Sequence, residues 1–228
     1  MSAEGALRDR NQADFGLIET LRWEPAAGFV RLDRHLARLK NSARALGFDF
    51  SRDETVAALN GALHGQSGPA ETQLRIRLLL TREGAVEVMS QPFAPLAPDA
   101  VWTLAIANTR LDSGDPLLRH KTTRRDIYDA ARAEFSREEP DEVVLLNERG
   151  DVCEGTITSI FIDQGDGRLL TPALACGLLP GVLRGEMIDV GRAAETVLTV
   201  GDLRVAKAIF AGNSLRGLIR TRLYPAAI

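Results

Sequence analysis

The chain has 228 residues and a formal net charge of −3, with 45% hydrophobic and 26% charged residues. This balance is that of a globular protein with one large domain or two small ones, and it excludes a strongly basic partner surface for nucleic acid or an anionic membrane. No apolar run approaches the roughly 18 residues of a membrane-spanning helix. The polar start and only two cysteines indicate a cytoplasmic protein without a disulfide framework or metal site.

In the first half of the sequence, apolar and polar residues alternate over several short segments, which predicts strands. These segments are 15–23, 28–32, 74–81, 85–89 and 101–107. Helical spacing predicts two helices, one that is capped by Asp33 and ends at Gly47, and one over 53–64. The alternation over 74–81 puts Arg75 and Arg77 on one face of their strand.

The second half mixes strands and helices without a regular βαβ rhythm, which predicts an α+β fold. Strands are predicted over 142–147, 156–162, 169–170, 196–198 and 208–211. Helices are predicted from about 126 to 135 and from 181 to 191. We expect a small N-terminal α+β lobe over 1–107, a linker over 108–117 and a larger C-terminal lobe over 118–228.

Lys121 is one of only three lysines among the 28 basic residues, in the run RHKTTRR. A lysine amine becomes a nucleophile when burial and neighbouring cations lower its pKa, and Arg119, Arg124 and Arg125 could supply those cations. A solvated basic surface at a domain boundary explains the same run equally simply.

Two further segments could hold an anion. The loop Gly177–Arg184 leads into a helix, whose first backbone N–H groups, those of Val182 and Leu183, would point at a phosphate. The turn after the strand 208–211 carries Asn213 and Ser214, whose polar groups could take a phosphate or a carboxylate. A plain loop and a plain turn explain both segments as well.

Single polar residues add candidates that the local pattern leaves open. Glu154 precedes a predicted strand and could protonate a pyridine nitrogen, or it could be a solvated edge charge. Arg38 and His35 lie on the first helix, away from its leucine face, and Arg38 could donate two hydrogen bonds to a phosphate. Cys153 is expected in the core.

Five segments follow one another in a fixed order along the chain. They are DRHLARLKNSARALGF, HKTTRRDIYD, NERGDVCEGTITSIF, LLTPALACGLLPGVLRGEM and IFAGNSLRGL. This order resembles the class IV (fold type IV) enzymes that use pyridoxal 5′-phosphate (PLP). That family contains branched-chain and D-amino-acid aminotransferases and 4-amino-4-deoxychorismate lyase. The resemblance runs from Phe15 onward and is closest to the lyase.

The resemblance implies a role for each candidate residue. Lys121 would link PLP covalently and then act as general acid and base, while Glu154 would hold the pyridine nitrogen protonated. Further cofactor contacts would come from Arg38, Val182, Leu183 and Ser214. Substrate contacts would come from Thr20, Arg77, Asn213 and Arg216.

The resemblance also implies a fold, a reaction and partners. The fold would be the two-lobed one of D-amino-acid aminotransferase, with the cofactor between the lobes and a homodimer closing the pocket. The reaction would release pyruvate from 4-amino-4-deoxychorismate to give 4-aminobenzoate for folate synthesis, with aminodeoxychorismate synthase as a possible functional partner. An aminotransferase of branched-chain or D-amino acids is the alternative, and a non-catalytic ligand-binding member of the family is a further one.

The sequence departs from the family pattern in two places. Only fourteen residues, mostly polar, precede Phe15, where many members have an extra pair of strands, so we expect a trimmed small lobe. Thr158 and Ser159 stand where many members have an asparagine, which removes one side chain expected near the cofactor.

Overall fold

The computed structural model describes residues 15–63, 72–136, 140–165 and 167–224. These residues form two compact units. One unit contains the described residues up to Pro95 together with His120–Arg124, and the other contains Leu96–Arg119 and the described residues from Arg125 onward. Each unit combines a sheet with helices, which confirms the predicted α+β class. The predicted trimming of the small lobe concerns residues 1–14, which lie outside the described residues.

The first unit has a four-stranded sheet in the order β2-β1-β3-β4. Its strands are β1 (Leu17–Glu24), β2 (Gly28–Phe29), β3 (Leu74–Leu80) and β4 (Val86–Pro92). Its helices are α1 (Leu32–Leu46) and α2 (Arg52–Gly61). One face of β3 is buried and apolar, whereas Arg75 and Arg77 lie together on the other face, as predicted.

The first helix begins two residues earlier than the sequence predicts, and its cap differs. Arg31, in the left-handed region at φ 58°, precedes α1, so the prediction that Asp33 caps the helix is wrong. The chain turns into the helix immediately, which shortens the predicted strand 28–32 to two residues. Gly47 ends α1 with a positive φ, as predicted. The predicted end of the second helix, His64, lies outside the described residues.

The second unit has an eight-stranded sheet in the order β10-β9-β8-β11-β12-β5-β6-β7. Its first four strands are β5 (Val101–Leu111), β6 (Glu142–Asn147), β7 (Val152–Gly155) and β8 (Ser159–Asp163). The others are β9 (Leu169–Pro172), β10 (Ala193–Thr196), β11 (Ala208–Asn213) and β12 (Gly217–Leu223). The helices are α3 (Asp126–Ala133), α4 (Val182–Asp189) and α5 (Val200–Val205). None of the helices in the described segments is long and apolar enough to cross a membrane.

Five features of the second unit differ from the predictions. The predicted strand 156–162 is split by a bend over 156–158, so that β7 ends before it and β8 begins after it. Strand β5 continues to Leu111, four residues into the segment predicted as a linker, with a register shift against β6. Strand β12 and helix α5 are not predicted, and β10 lies three residues before its predicted start.

Candidate active site

Lys121 lies in an extended segment, His120–Arg124, that pairs with the edge of β1. Leu17 and Thr122 form an antiparallel bridge, and the Ile18 N–H donates to the Lys121 carbonyl at 2.9 Å. The segment therefore extends the sheet of the first unit along the part of β1 that β2 leaves open. Lys121 is half-buried, whereas the alternative interpretation expects a solvated lysine on a basic surface.

The pairing register decides on which face of the sheet Lys121 lies. Residues directly opposite each other in an antiparallel pair lie on the same face of the sheet. Because Leu17 is opposite Thr122, Lys121 is opposite Ile18 and lies on the face of Ile18 and of Thr20, two residues further along β1. His120 lies on the opposite face, and its Nδ1 is 3.0 Å from the Ser42 hydroxyl on α1. This contact supports the assignment, because α1 covers that opposite face.

The face that carries Lys121 is rich in arginine. Thr20 lies opposite Arg77, and Arg22 lies opposite Arg75, so all four share the face of Lys121. We call Thr20, Arg22, Arg75 and Arg77 the arginine face. All four are half-buried, and Arg22 also pairs with Glu24 at 2.9 Å. Such a concentration of guanidinium groups favours an anionic ligand. The structure thus brings two predicted substrate residues, Thr20 and Arg77, into direct opposition.

Arg38 lies in a buried ionic cluster on the other face of this sheet. Its Nε and Nη2 donate to the two carboxylate oxygens of Glu19 at 2.8 and 2.6 Å, and His35 Nδ1 lies 2.6 Å from the same carboxylate. Burial would raise the pKa of Glu19, but the Arg38 guanidinium and His35 lower it to about 2. His35 is 1% exposed, so the expectation that it points away from the buried side of α1 is wrong. The phosphate role of Arg38 stays a prediction.

Glu154 lies within strand β7 and is only 5% exposed, so it is not a solvated edge charge. The Tyr128 hydroxyl on α3 donates to its Oε1 at 2.8 Å, and the Leu179 N–H donates to the same oxygen at 3.2 Å. Burial and then the nearby Glu154 charge raise the pKa of Tyr128 well above its usual value, which keeps the hydroxyl a donor. Sequence reasoning missed Tyr128, because nothing in the pattern of α3 distinguishes it from a packing tyrosine.

A second buried carboxylate, Glu142, shapes the bend between β7 and β8. It accepts hydrogen bonds from the Thr156 N–H and hydroxyl at 3.0 and 2.6 Å, and from the Ile157 N–H at 3.2 Å. The Thr158 hydroxyl donates to it at 2.8 Å. An added Cβ on Gly155 would lie 2.4 Å from the Thr158 hydroxyl, so only glycine fits there. Glu142 thus fixes the chain between Glu154 and the start of β8.

Helix α4 begins at Val182, one residue after its predicted start, and the anion-binding role of its first N–H groups stays a prediction. Gly181 precedes the helix and has no capping side chain, so the first N–H groups, those of Val182 and Leu183, have no helical acceptor. A Cβ on Gly181 would lie 2.5 Å from the Ser159 hydroxyl, which places that hydroxyl beside the start of the helix. Two backbone N–H groups and one hydroxyl therefore surround a helix end that favours negative charge.

The turn between β11 and β12 lies beside the same part of the second unit. Asn213 donates from Nδ2 to the Ile157 carbonyl at 3.2 Å, which joins this turn to the bend that Glu142 holds. Ser214 is 5% exposed, and the Arg216 guanidinium stacks over Trp102 at 5.7 Å. The roles predicted for Asn213, Ser214 and Arg216 in binding stay predictions.

The sequence suggests that Arg119, Arg124 and Arg125 act as cations beside the Lys121 amine. In the structure, their guanidinium groups make the following contacts with other residues. The Arg124 guanidinium stacks over the Phe15 ring at 5.0 Å, and that of Arg125 stacks over Tyr128 at 5.0 Å. Arg119 donates to a main-chain carbonyl in the loop before α4 at 3.4 Å. These contacts pack the segment on either side of the lysine.

The two cysteines pack as core residues, as expected for Cys153. Both are buried and reduced, and the Cys153 thiol donates to the Cys176 carbonyl at 3.1 Å. Burial, and then the neighbouring Cys176, raise the pKa of the Cys153 thiol above its usual value, which disfavours the reactive thiolate.

Known proteins resemble this chain over nearly its whole described length. A family model described as amino-transferase class IV matches residues 16–224. A solved structure from Mesorhizobium loti, provisionally assigned as an amino-acid aminotransferase, is 54% identical, with a TM-score of 0.89, and covers 92% of this chain and 100% of its own. A Thermotoga maritima relative, provisionally assigned as a branched-chain-amino-acid aminotransferase, is 30% identical over 90% of this chain and 76% of its own. A Schizosaccharomyces pombe relative, provisionally assigned as an aminodeoxychorismate lyase, is 28% identical over 81% and 80% respectively.

Proposed function

This chain belongs to the amino-transferase class IV family, and we propose that it is the PLP-dependent lyase of that family. It is an enzyme that acts on a small molecule. The proposed substrate is 4-amino-4-deoxychorismate, which is eliminated to 4-aminobenzoate and pyruvate. The elimination is balanced without water or a redox partner, because the two products together contain all the atoms of the substrate.

The donors in the second unit fit the phosphate group of PLP. The start of α4 presents unpaired N–H groups next to a buried hydroxyl, and a phosphate carries the charge that a helix N-terminus stabilises. When bound, PLP supplies an electron sink for the electrons released at the substrate carbon. The proposed cofactor contacts are Arg38, Lys121, Glu154, Val182, Leu183 and Ser214.

Lys121 is proposed to hold the cofactor and to move the proton. Its amine would bind the cofactor until the substrate amine displaces it. The freed amine would then take the proton from the substrate carbon that bears nitrogen, and a proton would pass to the departing enolpyruvyl group. The half-buried position of Lys121 at the edge of β1 restricts water around that proton transfer.

Glu154 is proposed to bind the protonated pyridine nitrogen of the cofactor. Tyr128 and the Leu179 N–H both donate to its Oε1, which orients the carboxylate that would accept from a protonated ring nitrogen. Because both are neutral donors, they add no positive charge that would compete with the ring.

The arginine face is the observation that carries the choice of substrate. Register places Thr20, Arg22, Arg75 and Arg77 on the same face of the sheet as Lys121. The proposed substrate has two carboxylates, one on the ring and one on the enolpyruvyl group, and guanidinium groups are suited to bind both. Ile18 and Leu79 lie opposite each other on the same face, and the four residues add to it the cationic surface that two carboxylates require.

An amino-acid aminotransferase is the second candidate, because the 54% identical Mesorhizobium loti protein is provisionally assigned to that activity. The arginine face would then hold a dicarboxylic amino acid or keto acid. Lys121 and Glu154 would keep the same roles, so the scaffold does not distinguish the two reactions.

A product assay distinguishes the two candidates. The PLP-loaded protein would be incubated with enzymatically generated 4-amino-4-deoxychorismate, and 4-aminobenzoate and pyruvate would be measured together. We expect equal amounts of both, abolished by Lys121→Ala and retained by Lys207→Ala, which changes an exposed lysine. Absence of both products, together with keto-acid formation from an amino donor, would contradict the lyase and favour the aminotransferase.

We further propose a cytoplasmic homodimer that contributes to folate synthesis, with aminodeoxychorismate synthase as its functional partner. The synthase is the class of enzyme that must supply the proposed substrate, because the amino group at ring carbon 4 has to be introduced before the elimination. Sedimentation of the full chain would test the dimer: a monomer at micromolar concentration would contradict it.

A further inference from the structure

We propose that Ser159 is a ligand of the phosphate group at the start of α4. This inference rests on the proposed PLP dependence and adds a residue that the resemblance does not supply, since many family members have an asparagine in this part of the strand. The Ser159 hydroxyl would donate to a phosphate oxygen, beside the N–H groups of Val182 and Leu183.

The surroundings of Ser159 indicate a missing partner. The residue is 7% exposed, and its hydroxyl has no hydrogen-bond partner among the residues that the structure describes. A hydroxyl of a largely buried residue that no protein group accepts from is available to a ligand or a bound water. A Cβ on Gly181 would lie 2.5 Å from the hydroxyl, so the hydroxyl is directed at the backbone where α4 begins.

Neighbouring hydroxyl groups show what a structural role looks like in this sheet. Thr156 and Thr158 donate to the Glu142 carboxylate at 2.6 and 2.8 Å, and Thr171 on β9 donates to the Ile160 carbonyl at 2.8 Å. Each of these three hydroxyls is satisfied within the protein. Ser159, between them in the same sheet, differs because its hydroxyl is directed at a helix start instead of an internal acceptor.

The bend held by Glu142 makes the position of Ser159 rigid. Four hydrogen bonds fix residues 156–158 to one buried carboxylate, and Ser159 is the next residue along the chain. A donor held by a rigid backbone loses little entropy when it binds, which increases its contribution to affinity. The same rigidity means that Ser159→Ala should leave the surrounding fold in place.

Comparing PLP with pyridoxal, which lacks the phosphate, isolates this contact. Both ligands would be titrated into the apo full-length protein and followed by the visible absorption of the bound ligand. In Ser159→Ala we expect PLP affinity to fall about tenfold, the loss of one hydrogen bond to a charged group, while pyridoxal affinity stays unchanged. The inhibition constant of inorganic phosphate against PLP binding should rise by a similar factor in the variant.

Thr171→Val provides the matched control, because it removes a buried hydroxyl from the neighbouring strand that has an internal acceptor. It should leave the ratio of PLP to pyridoxal affinity unchanged. An unchanged ratio in Ser159→Ala as well, with normal PLP binding, would overturn the role of Ser159 but not the proposed function. If the unmodified protein binds neither PLP nor pyridoxal, the proposed function itself fails, and the inference about Ser159 fails with it.

Discussion

The two units each bury a carboxylate but compensate its charge in different ways. Glu19 in the first unit is 2% exposed and is held by Arg38 and His35, whereas Glu142 in the second is 1% exposed and is held by backbone N–H groups and threonine hydroxyls. The Arg38 guanidinium places a positive charge beside the first carboxylate, whereas neutral N–H and hydroxyl groups donate to the second. The first arrangement stabilises a helix against a sheet, and the second fixes the shape of a bend.

Glu154 follows the second arrangement, and this bears on function. Tyr128 and the Leu179 N–H, which donate to it, are neutral groups like the donors to Glu142, and they add no positive charge beside the carboxylate. We therefore predict a different role for each carboxylate. The charge of Glu154 is needed for activity, the charge of Glu19 stabilises the fold, and the hydrogen-bond geometry of Glu142 fixes the bend.

The largest effect is expected for Glu154→Ala. Removing a preorganised charge at the reacting centre should lower kcat by about 100-fold to 1000-fold, with a smaller change in the melting temperature. Steady-state kinetics with thermal unfolding as the control would measure both. Near-normal kcat would break the comparison, because Glu154 would then be a packing residue like Glu142.

Glu19→Gln should show the next largest effect, on stability and with a pH dependence. The pKa of Glu19 in the folded state is about 2, below its usual value of 4.5, so the ionised cluster stabilises the fold above pH 4.5 and loses this contribution as the pH falls toward 2. Over that window the unmodified protein should therefore lose on the order of 3 kcal/mol more than the variant does.

Urea unfolding at several pH values would measure this loss. Glu87→Gln, on an exposed position of the same sheet, is the matched control and should leave the acid dependence unaltered. An identical acid dependence in Glu19→Gln and the unmodified protein would show that the cluster does not carry the linkage.

Glu142→Gln should produce a smaller loss that depends on geometry. In the variant, an amide NH₂ group stands in place of one of the two accepting oxygens. It would face an N–H or hydroxyl donor with no acceptor between them, so we expect stability to fall by about 2 kcal/mol. Because the bend connects Glu154 to Ser159, PLP affinity should fall together with stability. Titration with PLP and urea unfolding would test this, and a destabilised variant with unaltered PLP affinity would contradict the positioning role.

The smallest effect is expected for Tyr128→Phe. This change removes one of the donors to Glu154 Oε1 and keeps the aromatic ring beneath Arg125, so kcat should fall about threefold to tenfold with KM little changed. The pH profile of kcat is the sharper readout, since a merely structural tyrosine would not shift it. An unchanged profile and rate would remove Tyr128 from the site.

The sequence predicts the repeating patterns of this fold well, and its failures have tertiary causes. The leucine spacing of α1 and the alternation of β3 are local, so both were predicted. The bend over 156–158 consists of β-branched residues that favour a strand, and it forms only because Glu142, fourteen or more residues earlier, accepts its hydrogen bonds.

The candidate site shows the same division. Lys121 and Glu154 follow from the order of the family segments, which sequence alone displays. The burial of Glu19 does not, because a lone carboxylate in an apolar strand gives no sign of its partners on α1, sixteen and nineteen residues later. Tyr128 and the unpaired hydroxyl of Ser159 likewise depend on contacts between distant segments.

The most direct test of the account is to locate the residue that holds the cofactor. The PLP-loaded protein would be reduced with borohydride, digested and mapped by mass spectrometry. The account predicts a pyridoxyl group on Lys121 alone. A pyridoxyl group on Lys40 or Lys207, or on no lysine in protein that has bound PLP, would contradict it.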